Sequence, residues 1–141
     1  MQHVILNALL SLATAAVTTS ALAAPAPLLT KASGTGVLMA AHMRGKAKAR
    51  WLEATLEQMT QSNRAAADIL RTHGARAATD VTGFGLIGHL SEMTRPVDAD
   101  IRLTLGVLPL LDGAQQCLDT GILSSMQPAN AGFRRMIADL P

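Results

Sequence analysis

The alternation of apolar and polar positions divides the chain into two unlike parts. No Lys, Arg, Asp or Glu precedes Lys31, and from Val4 to Ala24 the sequence is rich in Ala, Leu, Val and Thr. This stretch ends in Ala21-Leu22-Ala23-Ala24-Pro25. An apolar run closed by an A-x-A pattern is the outline of a secretory signal, here without its positive start. Asn7, Ser11, Thr14, Thr18, Thr19 and Ser20 argue against a transmembrane span. Two expectations therefore stand for residues 1–25: an uncharged leftover helix of a longer protein, or a signal-like leader. Residues 26–141 form the domain proper.

Leu28-Leu29-Thr30 reads as a short strand after Pro25 and Pro27. The small-residue turn Lys31–Gly36 then feeds an apolar run from Val37 to Met43, which Gly45 and a basic cluster interrupt. Leu52, Leu56, Met59, Asn63, Ala66 and Leu70 follow at intervals of 4, 3, 4, 3 and 4 residues. That period predicts one long helix from about Lys48 to Arg71 with this stripe against a core. Asn63 interrupts the stripe and is expected to bond neighbouring backbone. His73-Gly74 stops the helix. Ala77–Val81 predicts a short strand, Thr82–Gly85 a turn, and Leu86, Leu90 and Met93 one face of a helix closed by Arg95-Pro96. Ile101, Leu103 and Leu105 alternate with Arg102 and Thr104, the pattern of a half-exposed strand. A short helix is expected over Leu111–Asp119, and another near Phe133–Ala138. Strands and helices interleave, so the class is α/β (α+β).

Composition narrows the picture. At 141 residues the chain has room for one domain with a hydrophobic core. The 49% apolar and 16% charged content is that of a globular chain. Trp51, Phe84 and Phe133 are the full set of aromatics, too few to stack single-stranded nucleic acid. The net charge of +2 implies no polyanionic partner, so neither nucleic acid nor membrane is expected to bind. The basic residues cluster once, at Arg44, Lys46, Lys48 and Arg50 with His42 nearby; such a run reads as a solvated connection or as a phosphate-facing edge. Cys117 is the lone cysteine, which excludes a disulfide framework and a cysteine metal site. It fits a reducing, cytoplasmic compartment, with export as the alternative if residues 1–24 act as a signal.

Candidate chemistry concentrates in Asp80-Val81-Thr82-Gly83-Phe84-Gly85-Leu86-Ile87-Gly88-His89. A carboxylate at a strand end can hold Mg²⁺, a hard cation that prefers oxygen ligands. The turn glycines, Gly83 and Gly85, let backbone N–H groups approach an anion, and the following helix N-terminus favours phosphate. The plainer reading of Asp80 is a cap or Asx-turn before a glycine turn. No P-loop and no G-x-S-x-G elbow occur. His3, His42, His73 and His89 lack metal-ligand spacing, and His89 reads as a packed or surface histidine before it reads as a general base.

Several motifs resemble, in order and separation, those of selenophosphate synthetase (selenide, water dikinase), a member of the aminoimidazole-ribonucleotide-synthetase-like superfamily. They are Leu29-Thr30-Lys31 with Gly34-Thr35-Gly36; Ser62-Asn63-Arg64-Ala65-Ala66-Ala67; and Ala78-Thr79-Asp80-Val81-Thr82-Gly83-Phe84-Gly85-Leu86-Ile87-Gly88-His89-Leu90. Leu108-Pro109-Leu110-Leu111 and Gly121-Ile122-Leu123-Ser124-Ser125, with Pro128 and Asn130, continue the likeness. Ala41-His42-Met43-Arg44 and Gln127-Pro128-Ala129-Asn130 look most like members fused to a flavin-type dehydrogenase. The resemblance covers about residues 26 to 140 and is to the C-terminal domain. It implies a mixed sheet with packed helices, incomplete here, from a two-domain homodimer. The implied activity is the ATP-dependent conversion of selenide and water to selenophosphate. Mg²⁺ and ATP would be bound only together with an N-terminal domain, and Asp80 matches the one Mg²⁺-binding aspartate of this domain.

The departures bear on function. The family's redox-active Cys or selenocysteine, its catalytic lysine and its other metal aspartates have no counterpart here, and Cys117 does not match the nucleophile. No catalytic residue is therefore expected in this chain. The Pro-Leu usual after the strand lysine is Ala32-Ser33, and the distal glycine-rich segment is missing. The chain reads as a truncated or split enzyme part that needs a complementary ATP-binding domain, or alternatively as a catalytically silent remnant or interaction module.

Overall fold

A computed structural model describes residues 13–18, 26–97 and 101–137. Three strands, β1 (Ala13–Thr18), β2 (Ala26–Leu29) and β3 (Ala77–Val81), form one sheet in the order β2-β1-β3 with both pairings antiparallel. Ala16 of β1 stands opposite Leu28 on one side and Ala78 on the other. The part of residues 1–25 that is described is therefore a central strand, which corrects the expectation of a leftover helix there. Thr14, Val17 and Thr18 are β-branched, and such residues favour strands once a partner lies alongside. The A-x-A pattern lies outside the described residues.

Six helices follow the strand β2 or flank β3: α1 (Thr35–Met43), α2 (Ala49–Thr60), α3 (Arg64–Thr72), α4 (Gly85–Thr94), α5 (Ala114–Asp119) and α6 (Gln127–Asn130). Short 3₁₀ turns occupy Arg95–Val97, Leu105–Val107 and Ala131–Met136. The last of these stands where a helix near Phe133–Ala138 was expected. Apolar residues gather into two cores. The first joins Val37, Leu38 and Ala41 of α1 to Trp51 of α2 and to Ala114 and Cys117 of α5. A parallel bridge between Ser33 and Leu110 closes it, with Ser33 N–H donating to Pro109 O and Leu111 N–H to Ser33 O, each at 2.8 Å. The second core joins Val81 of β3 to Leu86, Leu90 and Met93 of α4, as their shared helical face predicts. No helix among the described residues is long and apolar enough to cross a membrane.

Two sequence expectations give way to tertiary contacts. The single helix over Lys48–Arg71 is broken between α2 and α3, where Gln61 is extended (φ −68°, ψ 122°). Lys31 Nζ donates to Gln58 O at 3.3 Å and also to Gln61 O, and Gln58 Nε2 donates to Ala32 O at 2.8 Å. An ammonium at the last carbonyls satisfies acceptors that the helix itself leaves open. Asn63 caps α3 by position without a side-chain cap bond, and its Oδ1 is buried without a partner, contrary to the expected bond to backbone. The buried face of α2 is Trp51 and Thr55, whereas Leu56 and Met59 remain 46% and 38% exposed. Residues 101–104 form no ladder, although Ile101 and Leu103 are half-buried and Arg102 and Thr104 exposed, as alternation predicted.

The exposure of Leu56 has a direct consequence. Leu56→Ala should cost under about 1 kcal/mol in a chemical melt, because little apolar surface is lost. A cost of about 2–5 kcal/mol, the range for a closely packed leucine, would show that this face is covered in solution.

Candidate functional site

Asp80 lies one residue before the end of β3, on the strand's exposed face. Its neighbours Thr79 and Val81 turn inward, with Val81 fully buried in the second core. The alternation of β3 thus pins Asp80 outward. Its carboxylate makes no ion pair or hydrogen bond among the described residues; Arg71 pairs with Asp68 there, and His89 Nδ1 lies near Glu92. Nor does it cap α4, whose N-cap position is Phe84 without any side-chain cap bond. The cap reading of Asp80 has no support in this geometry, and the carboxylate is left uncommitted beside the glycine turn.

The turn Thr82–Gly85 is held from three sides. His89, buried in the first turns of α4, accepts the Thr82 N–H at its Nε2 at 3.1 Å, with Thr82 Oγ1 at 3.2 Å from the same atom. A ring nitrogen that accepts an N–H carries no proton of its own, so the ring proton sits on Nδ1. Nδ1 lies 3.4 Å from Glu92 Oε2, without a well-formed hydrogen bond. Asn130, also buried, donates from Nδ2 to Gly83 O at 3.0 Å across 47 residues of sequence. Phe84 packs its ring at 5.5 Å from His89 and 6.1 Å from Phe133, the latter edge to face. His89 is therefore a packed histidine that orients the turn, in keeping with its plainer sequence reading.

This bracing decides what the glycines offer. Gly85 adopts φ +67°, where a side chain is strained, and its N–H donates to Thr82 O at 3.0 Å. That bond closes the turn and occupies the Gly85 amide itself. Gly83 commits its carbonyl to Asn130. No cluster of three or more His, Cys, Asp or Glu that could hold a metal occurs among the described residues. Asp80 fits Mg²⁺ as one oxygen ligand, and the remaining shell would have to come from phosphate, water and other protein groups. Asn130 and Phe133 were missed as supports of the turn by periodicity. The Gln127–Asn130 motif was the sequence signal for Asn130, and it carried no hint of the partner 47 residues away.

A short sheet with packed helices and a braced strand–turn–helix carrying an outward carboxylate defines the class of domain. The chain belongs to the family described as AIR synthase related protein, C-terminal domain, whose model matches residues 28–130. The match begins after β1, so the central strand of the sheet lies outside the family region. Proteins named selenide, water dikinase are similar to it. That of Porphyromonas gingivalis is 37% identical over 106 residues, covering 75% of this chain and 30% of its own length. The proteins of that name from Cronobacter sakazakii and Escherichia coli O157:H7 are 34% and 33% identical over 114 residues, covering 80% of this chain and 33% of their own. The resemblance to a selenophosphate synthetase C-terminal domain therefore holds. The chain spans about a third of the length of these relatives. No solved structure matches it significantly.

Proposed function

We propose that this domain is part of a selenide, water dikinase, making selenophosphate from selenide, ATP and water. In this reading Asp80 supplies one Mg²⁺-binding carboxylate to a nucleotide site completed by an ATP-binding domain. The observation that carries it is the uncommitted, exposed carboxylate of Asp80 beside a turn whose shape is fixed by His89, Asn130 and Phe133. Mg²⁺ held there would neutralise charge developing on transferred phosphate. The chain's own contribution is positional. β3 aims Asp80 away from the core, and the braced turn limits its movement when the partner domain closes over it. Gly83, whose carbonyl is already held, would let the partner's phosphates approach the backbone closely. The working enzyme would be a homodimer in the cytoplasm.

The test mixes the purified chain with the ATP-binding domain of the Porphyromonas gingivalis relative and follows Mg²⁺-dependent nucleotide binding and AMP release. The chain alone should release no AMP above background, because phosphoryl transfer needs several positioned charges and one carboxylate is not enough. The mixture should bind Mg²⁺-ATP, and Asp80→Asn should abolish that gain while changing stability by under about 0.5 kcal/mol. Binding that survives Asp80→Asn would sink the assignment. A catalytically silent interaction module is the second reading, favoured by the exposed Leu56 and Met59 of α2 and Ile69 of α3. Under that reading the mixture forms a complex without any nucleotide binding that depends on Asp80.

A further inference from the structure

The basic run Arg44–Arg50 is not a uniformly solvated connection. The backbone after α1 folds back tightly, with Arg44 N–H and Lys46 N–H both donating to Ala41 O, at 3.2 and 2.8 Å, and Gly45 N–H to His42 O at 2.9 Å. This fixes Arg44 and Lys46 on the wall of a cavity of about 510 Å³. Its floor is Trp51, Cys117 and Ile122, and Gln116 stands with them on the α5 side. Lys48 is not among the lining residues, although its Nζ stands over the Trp51 ring, 4.7 Å from the centroid. Of the four cations in the run, the two that flank Gly45 converge on the cavity.

Arg44 and Lys46 are the charged residues among those that line the cavity. Neither the Arg71–Asp68 ion pair nor the His89–Glu92 contact involves Arg44 or Lys46. Asp119 at the end of α5 accepts from Gln115 Nε2 at 2.7 Å. Two unpaired cations over a low-dielectric floor create a positive potential that an anion relieves. The floor is apolar, with Trp51 and Cys117 buried and Ile122 half-buried. Burial pushes the Cys117 thiol above its ordinary pKa, which leaves it a packing group and not a nucleophile. Gln116 and Thr120 complete the lining beside the two cations, and the volume lies in the range of small-molecule sites. The cavity belongs to the first core, whereas Asp80 and the glycine turn belong to the second.

We propose that this cavity binds a small organic anion, a carboxylate or phosphate ester held by Arg44 and Lys46, whose apolar body rests on Trp51 and Ile122. The site is independent of the dikinase reading. Trp51 is the one tryptophan of the chain, so its fluorescence reports occupancy directly. Phenyl phosphate and benzoate are the probes, with benzyl alcohol lacking the charge and inorganic phosphate lacking the apolar body. At least one of the two aromatic anions should change Trp51 emission saturably. Inorganic phosphate should displace it only at higher concentration, and benzyl alcohol should have no saturable effect. Which of the two binds more tightly identifies the headgroup. Replacing both cations, Arg44→Gln with Lys46→Gln, should weaken binding by about tenfold or more, and so should raised salt. Both side chains are exposed, so folding should be unaffected. If the pair disturbs the circular dichroism spectrum, Lys46→Gln alone carries the same readout at about threefold. No saturable response to either anion up to about 10 mM, roughly tenfold above a millimolar Kd, would overturn the proposal. So would a response that benzyl alcohol reproduces or that the charge substitutions leave intact.

Discussion

Removing residues 1–24, or placing proline at Ala16, is expected to abolish the strand layer of this domain. β2 and β3 do not pair with each other; each pairs with β1, so loss of β1 leaves neither strand a ladder. Ala16 sits mid-strand with neighbours on both sides, Leu28 and Ala78. Proline is tolerated at sheet edges and strand starts, because it has no N–H to give the ladder, and a central position is where it does most harm. The damage would extend past the sheet. Leu29 and Ala77 pack against the second core, so unpairing β2 and β3 also loosens the seat of α4. Far-ultraviolet circular dichroism should lose its strand contribution, and the thermal transition should broaden or disappear. A truncated chain with an unchanged spectrum and melt would show that β1 is dispensable. The same experiment bears on export. Cleavage after Ala24 would take β1 away, so a folded sheet and a processed signal exclude each other in one molecule, and N-terminal sequencing of the folded protein should find residues of the first strand still attached.

That β1 escaped notice in the sequence has a physical cause. Its residues alternate no polarity, and an uncharged Ala- and Thr-rich stretch carries neither the period of a half-buried strand nor that of an amphipathic helix. Strand β3 and the turn after it were legible because local signals agree there: a short run, a glycine turn, then Leu86, Leu90 and Met93 at helical spacing. The break between α2 and α3 was not legible, since the stripe from Leu52 to Leu70 runs through it in phase. At the break Lys31, 27 residues away, bonds the Gln58 carbonyl, a contact no local window contains. Asp80 and Gly83 were candidates from sequence alone. The commitment of the Gly85 amide to Thr82 and of the Gly83 carbonyl to Asn130 could not be read there, because a periodic pattern says nothing of which backbone groups are already spent. The alternation of Ile101, Leu103 and Leu105 is the converse case. It foretold which side chains face the core, but pairing requires a neighbouring strand that the pattern cannot supply.

Gly113→Ala should be the most damaging single-methyl addition within the first core. Gly113 stands just before α5 at φ +85°, in the left-handed region, and it is buried. An added Cβ would lie 2.2 Å from Trp51 Cδ2, 2.4 Å from Cε2 and 2.6 Å from Cε3, far inside van der Waals contact. Trp51 is packed on its core side with Val37, Leu38, Ala41, Ala114 and Cys117, so it can yield only toward the cavity it lines. Two costs therefore combine: roughly 1–2 kcal/mol for an alanine in left-handed backbone and roughly 1–3 kcal/mol for overpacking. A loss of about 3 kcal/mol or more is expected, a large share of the ~5–15 kcal/mol that a domain typically has. Gly121 separates the two terms. Its φ is +78°, yet nothing lies within 4 Å of a Cβ built there, so Gly121→Ala should cost the backbone part alone. In a Trp51→Leu background, Gly113→Ala should likewise fall to about 1–2 kcal/mol, giving a coupling of about 1–3 kcal/mol between the two positions. Chemical melts of the four variants measure this. An equal cost of Gly113→Ala with and without the indole would mean that backbone strain alone sets the penalty, and that the ring of Trp51 yields. A ring that yields would also move the floor of the basic cavity, so the same variant should then alter the response of that site to phenyl phosphate.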